Sequence, residues 1–423
     1  MTMKKVFVLV SLFSAALVNA QVLFNNGGTM AVTAGGILHV NGDAEMNGAT
    51  ATFLNNGTTT TANSTNPGDF AINNASVVSG DGVYMVQGDW INNSIFNSGN
   101  SLVNLSGGNQ NITGSVITSF NDLEISGTGI KTQTIDAITT NTLQLNGLEL
   151  ATDVNTMLVT NPATNAILHD NTYGAEGFVS SVATGRLARV TNSTSTYMFP
   201  TGSSLLTRRY REVNLTPTEA DTNVYVVNLV NHSANVDNLD LSSYNGKMCP
   251  CTPNNDWYHN IGRTTGETPA TISIAYDVKA GEKYYSKAQW ASPTTAMWND
   301  IAKAEHRKGT DYNTMVTPGW KNFATEPYVL INTEGIFVPN VFSPNGDGMN
   351  DLFLISSDGI IEFDLVIYNR WGQVIFSTSA PEIAWDGRTS AGEPASEGTY
   401  YYTLVAKSDG ADYSQQGTVT LIE

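Results

Sequence analysis

The residues that could do chemistry are few and thinly spread. Between residues 21 and 160, Asp43, Asp81, Asp89 and Asp122 could act as a paired acid and base if neighbouring repeats brought two of them together. A polysaccharide lyase would also need a base for the abstracted proton or the uronate, and that stretch holds one Lys and no Arg. The histidines, His39, His169, His232, His259 and His306, fall in no metal-ligand spacing. Cys249 and Cys251 form a Cys-Pro-Cys run, with His259 eight residues further on. A disulfide between them would close a strained ring, two Cys and one His make an incomplete metal set, and a surface turn is the simpler reading. Arg208, Arg209 and Arg211 could meet an anionic glycan or pair with nearby acids. Trp257, Trp290, Trp298 and Trp320 could stack on the rings of a surface glycan or fill a sandwich core. Asp347 and Asp351, with amide oxygens from Asn345 and Asn350 in a loop containing Gly346 and Gly348, could hold calcium. The alternative is a set of Asx turns capping the first strand, since no Glu closes the loop in the EF-hand manner. The sequence contains neither a Gly-x-Ser-x-Gly elbow nor a His-Glu-x-x-His run. The expectation is a protein that is not an enzyme and needs no cofactor beyond a candidate calcium ion.

Composition narrows the class. The chain has 423 residues, enough for two to four domains, and its 20 Lys+Arg against 38 Asp+Glu give a net charge of −18. Phosphate binding needs clustered bases, so no nucleic-acid partner is expected. Only 14% of residues are charged, while Gly numbers 38 and Asn 44, a balance that suits a β-rich secreted protein. The 9% aromatic content argues against disorder. Residues 1–20 read as a secretory signal peptide: Lys4 and Lys5, an apolar run from Val6 to Val18, and a cleavage site at Val18-Asn19-Ala20. No other stretch is apolar enough to span a membrane, so no transmembrane segment is expected in the mature chain.

The elements that must position these residues fall into three segments. Residues 21–160 carry one base, Lys131, and ten acids; residues 161–334 carry 14 bases and 16 acids; residues 335–423 carry three bases and twelve acids. In the first segment an apolar-x-apolar-x-Gly motif recurs at Leu38–Gly42, Tyr84–Gly88, Val103–Gly107, Leu123–Gly127 and Leu143–Gly147, the last four glycines spaced by 19, 20 and 20 residues. Alternation marks half-buried strands, glycine marks corners, and a period near 20 predicts a β-solenoid resembling a parallel β-helix, with a two-sheet sandwich as the alternative. The 46 residues before Gly88 leave room for one irregular rung, and the 21 Asn of this segment can hydrogen-bond along the stack. The middle segment reads as a β-sandwich, with strands at Tyr225–Val230 and Thr271–Tyr276, a strand and turn at Tyr197–Gly202, and one helix over Ala296–Lys308. The last segment, with about seven short strands, suggests an immunoglobulin-like sandwich. The predicted fold class is therefore all-β.

The ordered set Val338–Asp351, Ile367–Gly372, Trp385-Asp386-Gly387 and Gly398–Tyr402 resembles the gliding-motility-associated C-terminal domain. That family is the type B sorting domain of the Bacteroidota type IX secretion system. The resemblance covers about a fifth of the chain. It implies that residues 335–423 carry the passenger across the outer membrane by engaging the type IX machinery and an outer-membrane partner of the PorP/SprF type, with release or retention at the cell surface. It also implies that Asn345, Gly346, Asp347, Gly348, Asn350 and Asp351 form a signature loop, joined by Arg370, Trp371, Gly372, Trp385, Asp386 and Gly387. On physical grounds Trp371 and Trp385 are expected as core anchors, and Arg370 as a bridge to a carboxylate such as Asp386. Gly107–Gly114, Phe120–Gly127 and Phe199–Ser203 with Tyr210-Arg211 also resemble repeat heads of large Bacteroidota surface proteins, many of them adhesin-like. The expected molecule is a secreted adhesin or structural surface protein. A glycan-binding module comes second and a polysaccharide-active β-helix enzyme third.

Overall fold

The computed structural model describes residues 22–422, except 63–66, 183, 245–250, 283, 285, 291–296, 302–304, 325–326, 334–337, 347–350, 356–359 and 409–410. The leader, Cys249, Asp347, Gly348 and Asn350 lie outside the described residues. Among the described residues there is no α-helix, only strands and two single 3-10 turns.

The repeats form a β-solenoid of about seven turns. One face is an eight-stranded parallel stack that starts at Leu23–Asn26 and ends at Phe178–Ser180. A second face stacks four strands, from Thr29–Val32 to Ile95–Asn97. The third face carries the repeat motif. Leu38, Thr59, Tyr84, Val103, Leu123 and Leu143 lie one above another in register. Thr58–Thr61 is the irregular rung, and it escapes a hydropathy pattern because Thr59 and Thr61 take the inward positions. Thr61 is accommodated by donating its hydroxyl to Gly68 O at 2.8 Å.

No rung has a core of its own, so the stack supplies one. Phe53, Phe70, Tyr84, Trp90, Phe96 and Phe120 make a continuous interior aromatic column, with Phe70 and Trp90 stacked at 5.2 Å and 10°. Such contacts contribute about 0.5–1.5 kcal/mol each beyond burial. Close rung-to-rung approach explains the corner glycines. A Cβ on Gly107 would overlap the Gln87 carbonyl of the rung beneath.

Parallel pairing continues past residue 160, to Thr156–Val159 against Arg186–Thr191. There the chain reverses. Arg186–Thr191 pairs antiparallel with Asn223–Val230, which begins a run through Tyr258–Thr265, Pro327–Thr333, Ser286–Trp290 and Trp298–Asp300. A second antiparallel sheet joins Tyr197–Phe199, Val213–Pro217, Ala270–Asp277, Tyr312–Trp320 and Glu305–Arg307. The helix expected over Ala296–Lys308 is not formed: Trp298–Asp300 and Glu305–Arg307 are strands in different sheets. Spacing by three and four placed Trp298 and Ile301 on one helical face, but they are buried in two different clusters: Trp298 against one sheet and the 3-10 turns at Ala234 and Leu241, Ile301 in the core shared by the sheets. One hydrophobic core runs from Val32 to Leu330 and unites the solenoid with these sheets.

The C-terminal segment has a core of its own, from Phe342 to Leu421. Its five-stranded sheet runs in the order Val341–Phe342, Ala411–Leu421, Gly398–Ser408, Ile360–Tyr368 and Val374–Thr378. Two of these strands have eleven residues each, longer than the short strands the turn spacing suggested. Isolated bridges, Phe353 with Trp385 and Arg388 with Pro394, close over the sheet.

Candidate functional site

The carboxylates of the solenoid sit at its corners. Asp43 Oδ1 accepts the Asp69 N–H at 3.0 Å, and Asp69 Oδ1 accepts the Asp89 N–H at 2.7 Å. Asp89 then accepts the Asn111 N–H at 2.7 Å and the Asn111 side-chain amide at 2.9 Å. Carboxylates on adjacent rungs therefore do align, but as a ladder in which each oxygen pairs the next rung's backbone. Burial, opposed by the Asp89 hydrogen bond and aided by the flanking Asp89 and Asp43 charges, raises the Asp69 pKa. Asp81 lies at another corner, held by Asn100, and Asp122 at the register shift within Thr118–Ile125, held by Asn121 and Asn141. The Asn residues do bond along the stack, as from Asn93 to Asn73 at 2.8 Å. Lys131, the lone base of residues 21–160, is buried and donates to Gly107 O, Gly108 O and Thr128 O at 2.9, 2.5 and 2.9 Å. Burial lowers its pKa to about 8.

Most aromatic candidates of the middle segment are internal, and the basic ones are engaged within the chain. Trp257, Trp290 and Trp298 are buried, so their rings cannot meet a sugar. Trp320 is half-buried and donates to Asn322 O at 2.7 Å. The arginine cluster pairs with acids: Arg208 with Glu176 at 2.8 Å, Arg209 with Asp256 at 3.7 Å, and Arg211 with Glu282 at 2.6 Å. These pairs belong to a network that joins the last solenoid loop to the sheets. Tyr173 donates to Asp277 at 3.1 Å, Tyr312 to Glu176 at 2.5 Å, and Trp257 to Glu282 at 3.2 Å. Burial pushes the Glu176 carboxyl up, but bonds from Tyr312, Arg208 and Gly174 outweigh it and hold the pKa below the usual range. Sequence reasoning found the three arginines and missed Tyr173, Glu176, Asp277, Glu282 and Tyr312, whose separations in sequence carry no local signal. His259 is fully buried; its Nε2 lies 3.0 Å from Arg211 O, and burial lowers its pKa to about 3. Among the described residues no group of His, Cys, Asp and Glu is arranged to hold a metal ion. No described helix is long and apolar enough to cross a membrane.

In the C-terminal domain the signature residues divide by role. Trp385 is a core anchor: it packs on Phe342 and Tyr400 at 5.1 and 4.9 Å and donates Nε1–H to Arg388 O at 2.6 Å. Gly387 turns with φ 78° beneath Pro344, where a Cβ would come within 2.9 Å of the proline ring. Gly346 donates its N–H to Asp351 at 2.6 Å, an Asx-type brace across the loop. Asp386 accepts the Arg388 N–H at 3.0 Å and lies 3.9 Å from the Arg388 guanidinium, so its basic neighbour is Arg388 and not Arg370. Trp371 also departs from expectation. It is 77% exposed at the tip of a turn, with Arg370 lying 5.6 Å over its ring. The turn rather than the core sets its position: Asn369 Oδ1 accepts the N–H groups of Trp371 and Gln373 at 2.9 and 3.0 Å, and Gly372 takes φ 76°. Beside this tip lies a cleft of about 290 Å³ whose far wall runs from Pro394 to Tyr400.

Fold and site together define a class: an all-β passenger built on a solenoid, followed by a C-terminal β domain with a separate core. Residues 336–421 match the family described as the CHU_C type IX secretion signal domain. That match supports export through the type IX secretion system and implies delivery to the cell surface or beyond it. Comparison with curated proteins gave no match.

Proposed function

We propose that this protein is a secreted surface component of a type IX-competent bacterium of the Bacteroidota type. Its solenoid and sheets act as a non-catalytic adhesin or structural coat, and its leader directs it first to the periplasm. The C-terminal domain then engages the type IX machinery through an outer-membrane partner of the PorP/SprF type. The observation that carries the export step is the family match over residues 336–421. The non-catalytic reading of the passenger is supported by how its candidate groups are used. The Asp ladder, Lys131 and the arginine cluster are all committed to internal hydrogen bonds.

The enzyme reading is kept as a second one on a single observation: Asp43, Asp69 and Asp89 stack on adjacent rungs, and the central pKa is raised. Incubating the purified passenger with acidic and neutral polysaccharides, with the Asp69→Asn variant as control, separates the two. Product released by the wild type alone would overturn the non-catalytic reading. Export is tested by deleting residues 336–423 and fractionating the cells. The truncated chain is expected to stay in the periplasm, and its appearance at the surface would sink the export reading.

A further inference from the structure

The C-terminal domain is acidic, with three bases, Arg370, Arg388 and Lys407, against twelve acids over residues 335–423. Arg388 faces Asp386 at 3.9 Å and Lys407 pairs with Glu362 at 2.9 Å. Among the described residues no carboxylate lies within ion-pair distance of the Arg370 guanidinium, which rests on the exposed Trp371 ring. Neither side chain contributes to the domain core. Trp385, Gly387, Gly346, Asn369 and Gly372 each have a fold task, whereas Arg370 and Trp371 form the tip those tasks support.

The exposed Trp371 ring gains no burial from the fold, so that gain is left for a partner to supply. Trp and Arg are also the residue types that dominate binding energy when a partner buries them. Thr389, Pro394, Ser396, Glu397 and Tyr400 line the cleft beside them. A partner that fits must present a carboxylate to Arg370 and an apolar slot to Trp371.

We propose that the Arg370–Trp371 tip and its cleft are the surface by which the secretion machinery reads this domain, docking on a protein that offers an acidic group beside an apolar pocket. The inference rests on the export reading above and gives that reading a location. The net negative charge of the domain favours a protein partner over an anionic surface. Lipid or polysaccharide anions would be repelled by the twelve acids, while a protein can place one carboxylate locally.

The test uses the full chain, leader included, in cells with an active type IX system. Trp371→Ala and Arg370→Glu are compared with Val405→Ala, which alters another exposed residue of the same domain, and with deletion of 336–423. Both tip variants should lower surface plus medium protein at least tenfold, leaving folded chain in the periplasm, while Val405→Ala exports normally. Purified Trp371→Ala and Arg370→Glu should keep the wild-type Tm. If deletion blocks export and both tip variants pass, the docking site lies elsewhere and the export reading stands. If the deleted chain is exported, both fall. Export followed by loss from the surface into the medium would make the tip an anchor and overturn the sorting role. Should Trp371→Ala lower the Tm, Arg370→Glu, which leaves the domain core untouched, decides alone.

Discussion

Asp69 shows how a buried charge can be a structural compromise. Its carboxylate supplies an acceptor for the next rung but lies between Asp43 and Asp89, and its pKa is raised. A raised folded pKa gives stability that is fully present below the unfolded value of 3.8 and is lost as pH rises through the folded value. Near neutral pH the ladder is therefore at its least favourable. Asp69→Asn keeps an acceptor oxygen for the Asp89 N–H and removes the charge. It should leave the Tm at pH 7 unchanged or raise it by a contribution under about 1 kcal/mol, and should flatten the change between pH 4 and 7. A clear loss of Tm at neutral pH would refute this account. His259 has the opposite sign. Its pKa falls from 6.5 to about 3 through burial, with Arg211 and Lys287 adding like charge. Its stability contribution is present above pH 6.5 and is lost as pH falls toward 3. His259→Gln retains a donor toward Arg211 O, so acid unfolding followed by circular dichroism should begin at lower pH than in the wild type. An unchanged midpoint would mean that His259 does not contribute to acid sensitivity.

Elements here are fixed by what stacks on them. The solenoid strands are two to eight residues long, and an isolated strand of that length has no stability in water. Their corners tolerate little change. Gly107→Ala would drive a methyl group into the Gln87 carbonyl and force two rungs apart, an expected cost of at least about 2 kcal/mol. Chemical denaturation would measure it, and a cost below about 0.5 kcal/mol would show that the rung can shift. In the middle sheets Glu176 secures the last solenoid loop to Arg208 and Tyr312. Glu176→Leu would remove the carboxylate from Tyr312 and from the partly exposed Arg208, which keeps its bond to the residue 176 carbonyl, a loss of roughly 1–3 kcal/mol. The measurement is the urea midpoint, and an unaltered midpoint would show that the network is not a clamp.

At the scale of the molecule there are two principal units, because the core from Val32 to Leu330 shares no residue with the core from Phe342 to Leu421. Calorimetry of the full chain should resolve two transitions, and residues 336–423 should fold when expressed alone. A single transition with equal calorimetric and van't Hoff enthalpies would contradict this. Conversely, a cut at residue 160 crosses paired strands, since Thr156–Val159 needs Arg186–Thr191. A fragment ending at 160 should aggregate, whereas one ending near 335 should remain soluble.

The all-β class, the rung motif and the C-terminal family are legible in the linear chain. Each is written locally: alternation at Leu123 and Ile125, a corner at Gly127, and the ordered motifs from Val338 to Tyr402. The sequence also indicated the irregular rung by a gap, although four threonines concealed which residues filled it. Tertiary structure alone decided the rest. Spacing cannot tell a helix from two short strands when both bury Trp298 and Ile301, and only the neighbouring sheets settle that choice. Nor can residue type separate Trp371 from Trp385. One ends on an Asx-braced turn and the other beneath a bridge to Phe353, so the same side chain is solvated in one place and core in the other. The partners of Arg208 and Arg211 lie 32 and 71 residues away. Pairing at such distances depends on how the whole chain closes, which no local pattern encodes.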